Sequence, residues 1–495
     1  MKWVFLGILG VLIAWSLLAY AMMPDASRDG RTVLTWVSDD NPARRGSIRL
    51  FEQLNPDLRL LLDPANTTLE KIIVQCKGGV GGDVFNCYGR WQLVDFVRAG
   101  VLQPIDEEAA RLGFDVAKTW PEVLDEISIE AFNPAAGRYE RHQYTFPLNV
   151  NANVMFFNKR IFDEVGEPYP TSDWDWNECL RVAKKLVKRD RHGRITRYGL
   201  GTYEMHETVG LVWQFGGSFF DPTLTYCTLD SSEAIEAMRF LHRMLVVDEV
   251  MPSVAERNAI GTQGGWGSSV IDLFCTERIA MLRMGRWGMI KFRTQPNLRG
   301  NIGAVLLPHM RSGADEIRAL SVGINPKSPN KNEALRFLQF LASDEFSWQV
   351  VESADALPPS PKVGQDERFL KDAAHPEEDF NHLFIEAIRR GRSNHFPPFI
   401  QTTRVERIFN RHLAVMSDRK TTPEQMCRAL TDEINEEMRV SLTRYASMRE
   451  EYKRRTGRDF DPADYPPKGD RPSAGRNPSA PGSRNAHARR TDERP

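Results

Sequence analysis

The chain has 495 residues, too many for one compact core, so two or three folded units are expected. Hydrophobic residues make up 41% and charged residues 26%, an ordinary globular balance. The formal net charge of −1 excludes the concentrated positive charge that nucleic-acid phosphates require.

Residues 1–24 stand apart from the rest. Lys2 precedes an apolar run from Trp3 to Met23, and Ala19-Tyr20-Ala21 offers a cleavage site with small residues at its ends. The run approaches the ~20 residues that span a bilayer, so this segment reads as a signal peptide or an N-terminal membrane anchor. Cys76 is the first cysteine, so no lipid-modified N-terminal cysteine is expected.

From residue 31 strand signals alternate with helix signals. Thr32 to Val37 reads as a buried strand. Ile48, Phe51 and Leu54 fall on one helix face that Asn55-Pro56-Asp57 stops. Leu60-Leu61-Leu62 is a second strand. Thr68 is placed to cap a helix carrying Leu69, Ile72, Ile73 and Cys76, and Gly78 to Gly82 break it. Val84 to Cys87 is a third strand, and Trp91 to Ala99 a short helix ended by Gly100. This rhythm predicts an α/β unit with a largely parallel sheet.

A second pattern begins after His142. Tyr144 to Leu148 and Val154 to Phe157 are extended, and helices follow at about 177–189 and 231–249. Asp230 with Glu233 resembles a capping box for the latter. Ile302 to Leu307 and Leu320 to Asn325 read as strands. Asn330 and Glu333 open a helix with Leu335, Leu338 and Leu341 on one face. Thr422-Pro423-Glu424-Gln425 is a helix start, and that helix is expected to reach about residue 440. The stretch 451–495 is expected to be a largely disordered tail. From Pro466 onward it carries no aromatic residue and no aliphatic larger than Ala, too little apolar surface to offset ordering entropy.

The six cysteines are Cys76, Cys87, Cys179, Cys227, Cys275 and Cys427. Cys76 and Cys87 flank the Gly-rich turn and are a disulfide candidate, while so sparse a set also reads as buried free thiols. CxxC and HExxH spacings are absent, so neither a metal nor a cofactor is expected. Nucleophile-elbow, dinucleotide and phosphate-loop motifs are absent as well, and no carboxylate pair is singled out, so the chain does not read as an enzyme. Aromatic residues among polar and glycine neighbours do stand out. These are Trp36 before Ser38-Asp39-Asp40, Tyr88 and Trp91 after the third strand, Trp213 before Gly216-Gly217, Trp266 between glycines and serines, and Trp287 in Gly285-Arg286-Trp287-Gly288. Aromatic faces suit the C–H faces of a sugar ring, while amides and acids bond its hydroxyls.

Several motifs in order resemble those of family 1 extracellular solute-binding proteins, the receptors of carbohydrate ABC importers. They are Leu34-Thr35-Trp36, Phe51 to Asp57, Gly82 to Phe85 followed by Trp91 and Ala99 to Ile105, Phe146 to Asn149 through Phe162, Trp213 to Gly217, Thr276 to Met281 through Trp287, Ser328 to Lys331, and Leu357 to Ser360. The resemblance implies a two-lobed periplasmic-binding-protein-like α/β fold with a ligand cleft between lobes joined by hinge strands. Lobe 1 is expected over 31–150 plus 306–355, and lobe 2 over 151–305 plus 356–450. Crossings are expected near Asn149-Val150-Asn151, near Leu306-Leu307-Pro308 and near 352–358. By resemblance Trp36, Tyr88, Trp91, Asn149, Trp213, Gly216, Gly217 and Trp287 line the cleft, and local chemistry adds Trp266 and Arg286. The implied partners are a small solute, expected to be a sugar, and ABC permease subunits, with membrane contact if residues 1–24 stay uncleaved. The implied location is periplasmic or otherwise extracytoplasmic. A membrane-tethered solute sensor and an exported carbohydrate-active enzyme are the alternatives. Tyr88 stands where the family often has an acid, and the chain continues past the family's usual last helix.

Overall fold

The computed structural model describes residues 7, 9–15, 30–133, 137–201, 203–260 and 270–466. Its strands in chain order are β1 (Thr32–Val37), β2 (Leu58–Asp63), β3 (Val84–Cys87), β4 (Ser128–Asn133), β5 (Arg138–Gln143), β6 (Thr145–Asn151), β7 (Asn153–Asn158), β8 (Lys188–Arg189), β9 (Ile195–Leu200), β10 (Ile279–Gly285), β11 (Ile302–Val305) and β12 (Arg318–Ile324).

Two sheets organise the molecule. The first has the order β2-β1-β3-β12-β6 and the second β11-β7-β10-β9-β8. In the first, β1 is parallel to β2 and β3, while β12 runs antiparallel to both β3 and β6. The expected parallel sheet therefore holds for β1, β2, β3 and β6. β12 runs against them because the chain re-enters this sheet from the other lobe. In the second sheet β7 is antiparallel to β10 and β11, and β9 is parallel to β10. The hairpin of β4 and β5 was not evident from the sequence; it stands apart from both sheets.

Local chemistry explains the helices of the first lobe. Asn41 caps the helix Pro42–Leu54 by accepting the Arg44 N–H at 3.0 Å, and Pro42 sits where a missing N–H costs nothing. Phe51 on its buried face meets Phe337 edge-on at 5.2 Å. Two expected caps differ. Thr68 precedes the helix Leu69–Gly78 without a side-chain bond to it. The helix Ser232–His242 is capped by Ser231, not Asp230, because the Ser231 hydroxyl is the one that reaches the Ala234 N–H. The Thr422–Gln425 capping box forms, and its helix runs Pro423–Arg444.

The chain passes between the sheets three times. Ala152 alone separates β6 from β7, and residues 306–317 lead from β11 to β12. The third passage follows the helix Asp344–Glu352, whose Gln349 takes a hydrogen bond from Ser47 at 2.9 Å. It runs through Leu357, which exchanges two 2.9 Å backbone hydrogen bonds with Val150.

Order continues through the helix Ala446–Thr456 to residue 466, which corrects the tail expected from 451. Tyr452, Phe460 and Tyr465 provide the apolar contact there, and Tyr452 is only 4% exposed. All six cysteines are buried free thiols, so Cys76 and Cys87 form no disulfide. Burial pushes the Cys76 thiol up to about 11. Among the described residues no helix is long and apolar enough to cross a membrane. Most of the expected signal or anchor, and residues 467–495, lie outside them.

Candidate functional site

The seam between the lobes is built from two helix starts. Gly89 precedes the helix Arg90–Arg98 with φ +122, a backbone region that only glycine enters freely, and a Cβ there would lie 3.3 Å from Glu126 Oε2. That same oxygen accepts the Arg90 N–H at 3.1 Å, which fixes the helix start and sets Trp91 in its first turn. In the second lobe, reciprocal bonds between Glu204 and Glu207 open the helix Met205–Gln214 and put His206 in its first turn. The Trp91 and His206 rings face each other across the seam, centroids 6.5 Å apart and tilted by 37°. Trp91 Nε1 is buried without a hydrogen-bond partner. His206 Nδ1 lies 3.6 Å from Glu316 Oε1, beyond hydrogen-bond length.

Two charged knots support this seam. Arg283 on β10 bonds Asp315 at 2.7 Å, and Asn153 donates to the same carboxylate at 3.0 Å. Gly210 permits that approach, because a Cβ there would meet Asp315 Oδ1 at 2.1 Å. Burial opposes the Arg283 charge, yet Asp315 and Glu207 hold its guanidinium above the ordinary range. Beside it, Arg318 grips Glu316 at 2.5 Å. Burial again opposes the charge, but Arg318 and His206 hold the Glu316 carboxyl well below the usual carboxylate range. The second knot centres on Asp355, which takes Arg44 at 2.8 Å and Asn149 at 3.0 Å. Arg44 Nε lies 3.4 Å from Asp39, which accepts the Tyr88 hydroxyl at 3.1 Å. Burial, with the Asp39 charge alongside, pushes the Tyr88 phenol up.

A groove of about 830 Å³ opens beside Trp91. One wall comes from the first lobe, through Trp91, Arg98 and Tyr139. The other comes from the second lobe, through His395, Phe399 and Glu451. His395 Nε2 reaches Asp125 Oδ2 across it at 2.6 Å. Buried polar atoms without partners remain around the seam, namely Trp91 Nε1, Asp95 Oδ2, Asn151 Oδ1 and Arg283 Nε. Such atoms are costly unless a solute or water satisfies them. Among the described residues no cluster of His, Cys, Asp and Glu is arranged to hold a metal.

The sequence-derived site residues separate into three groups. Trp91, Tyr88, Asn149 and Trp287 lie along the seam and the crossings between the sheets. Trp287 is half-buried beside Gly285, whose Cβ position lies 1.7 Å from Asn151 Oδ1. Trp36 and Arg286 are interior. Trp36 is 0% exposed, packs on Phe337 at 5.2 Å and donates to Asn86 Oδ1 at 2.9 Å. Strand alternation turns it into the core. Arg286 is 1% exposed and donates to the Asp355 carbonyl at 2.7 Å and to Asn381 at 3.1 Å. Burial and nearby Arg293 lower its guanidinium to about 10.

The third group closes the helix Met205–Gln214 beside the second crossing, whose Ser312 donates to the Trp213 carbonyl at 3.3 Å. Trp213 lies seven residues beyond His206, roughly 10 Å along the helix. Gly216 has φ +90, and Gly217 donates to the Val212 carbonyl at 2.9 Å, so the pair reverses the chain. Trp266 lies outside the described residues. His206, Glu207, Arg283, Asp315, Glu316 and Asp355 were missed. Asn149, Asn151 and Asn153, spaced by two across the first crossing, are a sequence signal that could have marked their neighbourhood.

The family model described as bacterial extracellular solute-binding protein matches residues 37–346. A putative binding protein of Brucella abortus is 23% identical over 375 residues, covering 74% of this chain and 84% of that protein. A structure of an ABC substrate-binding protein from Listeria monocytogenes in complex with cycloalternan is similar, with a TM-score of 0.69 at 24% identity over 82% of this chain and 99% of that one. A solute-binding protein of an ABC transporter from Thermotoga lettingae, bound with α-D-tagatose, has a TM-score of 0.68 at 20% identity, over 82% and 100% of the two chains.

Proposed function

Since the chain belongs to the bacterial extracellular solute-binding protein family, we propose that it captures a carbohydrate between its lobes and delivers it to the permease of an ABC importer. The observation that carries the reading is the Trp91–His206 juxtaposition beside the 830 Å³ groove, with unpartnered polar atoms around it. An aromatic face covers the apolar side of a sugar ring, and the stranded donors and acceptors satisfy its hydroxyls. The similar proteins from Listeria monocytogenes and Thermotoga lettingae hold cycloalternan and α-D-tagatose, which directs the proposal to this solute class.

The family is one of binding proteins, and its place of action is outside the cytoplasm. Residues 1–24 serve export, by cleavage or as a retained anchor. Ligand closes the lobes about the three crossings, and the closed form is the one that docks on the permease. The test is mass spectrometry of solute released on gentle denaturation, joined to a thermal-shift panel of saccharides. A hundredfold excess over Kd stabilises by ~2.7 kcal/mol. No released saccharide and no shift across the panel would sink the carbohydrate assignment.

A further inference from the structure

The segment after the helix Pro423–Arg444 is anchored in the second lobe. Tyr452 packs against Phe399 at 6.2 Å and Phe460 at 5.6 Å, and the Tyr465 hydroxyl donates to the Thr225 carbonyl at 2.7 Å. Arg455 donates to the Thr223 carbonyl at 3.2 Å. From this base the helix Ala446–Thr456 reaches over the interlobe groove, where Ser447, Met448, Glu451, Arg454 and Arg455 form part of the wall.

Opposite stands the β4–β5 hairpin of the first lobe. Arg454 lies over the Tyr139 ring of β5, its guanidinium carbon 4.2 Å from the ring centroid. Glu451 aims that guanidinium, bonding Arg454 at 2.6 Å on one side and Arg455 at 2.6 Å on the other. The Tyr139 and Glu130 side chains on the hairpin add to the field that holds the Arg454 charge. Arg98 of the first lobe likewise feels Glu451 across the groove. A well-anchored element of one lobe thus ends on an aromatic of the other that stays 41% exposed with this contact in place.

We propose that residues 446–466 act as a clasp that sets the width of the interlobe groove, with Arg454 on Tyr139 as its cross-lobe contact. Arg454 and Tyr139 are positioning residues: they limit how far the lobes part at the outer end of the groove, and so which solutes enter. Only the solute part of this statement rests on the proposed carbohydrate capture; the clasp itself is a contact between residues of this chain. A cation–π contact at an exposed site is weak, so its loss shifts the distribution of lobe separations modestly and leaves the fold intact.

The test needs no solute. Spin labels are placed through V74C on the first lobe and V247C on the second, positions 69% and 64% exposed. Interlobe distances are then read by double electron–electron resonance in the full chain, since the six native cysteines are buried. Arg454→Ala and Tyr139→Ala are each expected to raise the population of wide separations about two- to fivefold. The double variant does no more than either single one, and Tyr139→Phe, which keeps the ring, behaves as the unsubstituted chain. Circular dichroism checks that each variant is folded. Distance distributions unchanged by Arg454→Ala, or a Tyr139→Phe result matching Tyr139→Ala, overturn the clasp. Neither outcome depends on whether a carbohydrate binds.

Discussion

Asn149 and Asp355, from the first and third crossings between the lobes, are joined by a 3.0 Å hydrogen bond from Nδ2 to Oδ2. The same carboxylate oxygen pairs with buried Arg44 at 2.8 Å, so one side chain ties both crossings to the first lobe. Asp355→Ala leaves the Arg44 guanidinium buried beside only the more distant Asp39, and should cost about 3–5 kcal/mol of stability. Asn149→Ala removes a single hydrogen bond and should cost about 1 kcal/mol. Urea denaturation midpoints compare them; equal costs would contradict the central place of Asp355.

The tryptophans should separate by role. Trp91→Ala is expected to weaken solute binding by about 1–3 kcal/mol through lost stacking area, with less effect on folding, and Trp287→Ala to act in the same direction. Trp36→Ala empties a core position and should cost about 3–5 kcal/mol of stability, while the folded fraction binds normally. Isothermal titration calorimetry with the released solute, paired with denaturation, distinguishes the cases. Normal binding by folded Trp91→Ala would remove Trp91 from the site.

Stability should depend on pH through Glu126. It is 2% exposed, and burial, reinforced by the nearby Glu316 charge, raises its carboxyl from 4.5 to about 7. The folded chain therefore keeps this proton to higher pH than the unfolded chain. The contribution to stability is fully present below pH 4.5 and is lost as pH rises to about 7. Glu126→Gln removes that dependence, so the stability gap between the two proteins should change by up to about 3 kcal/mol across this window. Parallel stability–pH curves would refute the assignment.

Gly285→Ala places a methyl group 1.7 Å from Asn151 Oδ1 at the first crossing. The expected outcome is a loss of stability of about 1–3 kcal/mol, from overpacking. Asn151→Gly in the same chain should restore part of it. A thermal melt of the three proteins checks this, and an unperturbed Gly285→Ala would mean that the crossing yields more readily than its contacts imply.

Closure about the crossings should be visible in solution. The cluster around Trp36 and the cluster around Trp176 each stay within one lobe, while a third runs through the crossings from Ile127 to Phe156, so motion concentrates there. Small-angle X-ray scattering is expected to show a smaller radius of gyration with solute than without. An unchanged radius and unchanged interlobe distances would overturn the hinge even where binding is confirmed.

Much of the element order was legible in the chain because it rests on neighbours in sequence. β1 and β3 follow from runs of apolar residues, and the helix at Pro423 from Thr422 and Gln425, whose bonds span three residues. The aromatic signal was also local, and there it failed to discriminate: Trp36 and Trp91 both follow polar or glycine-rich cues, yet one is core and the other faces His206. Orientation relative to a second lobe has no sequence-local cause. His206 meets Trp91 across 115 positions of chain, and Asp315 meets Arg283 only because Gly210 leaves room. Likewise the aromatics of 452–465 look like a tail in sequence and become a folded segment only against Phe399. The sequence by itself determined the alternating elements of the first sheet, the helix at Pro423 and the family, but not the β4–β5 hairpin or β9 and β10. Which polar groups share the seam was decided by tertiary packing, since burial and long-range pairing give a charge its partner.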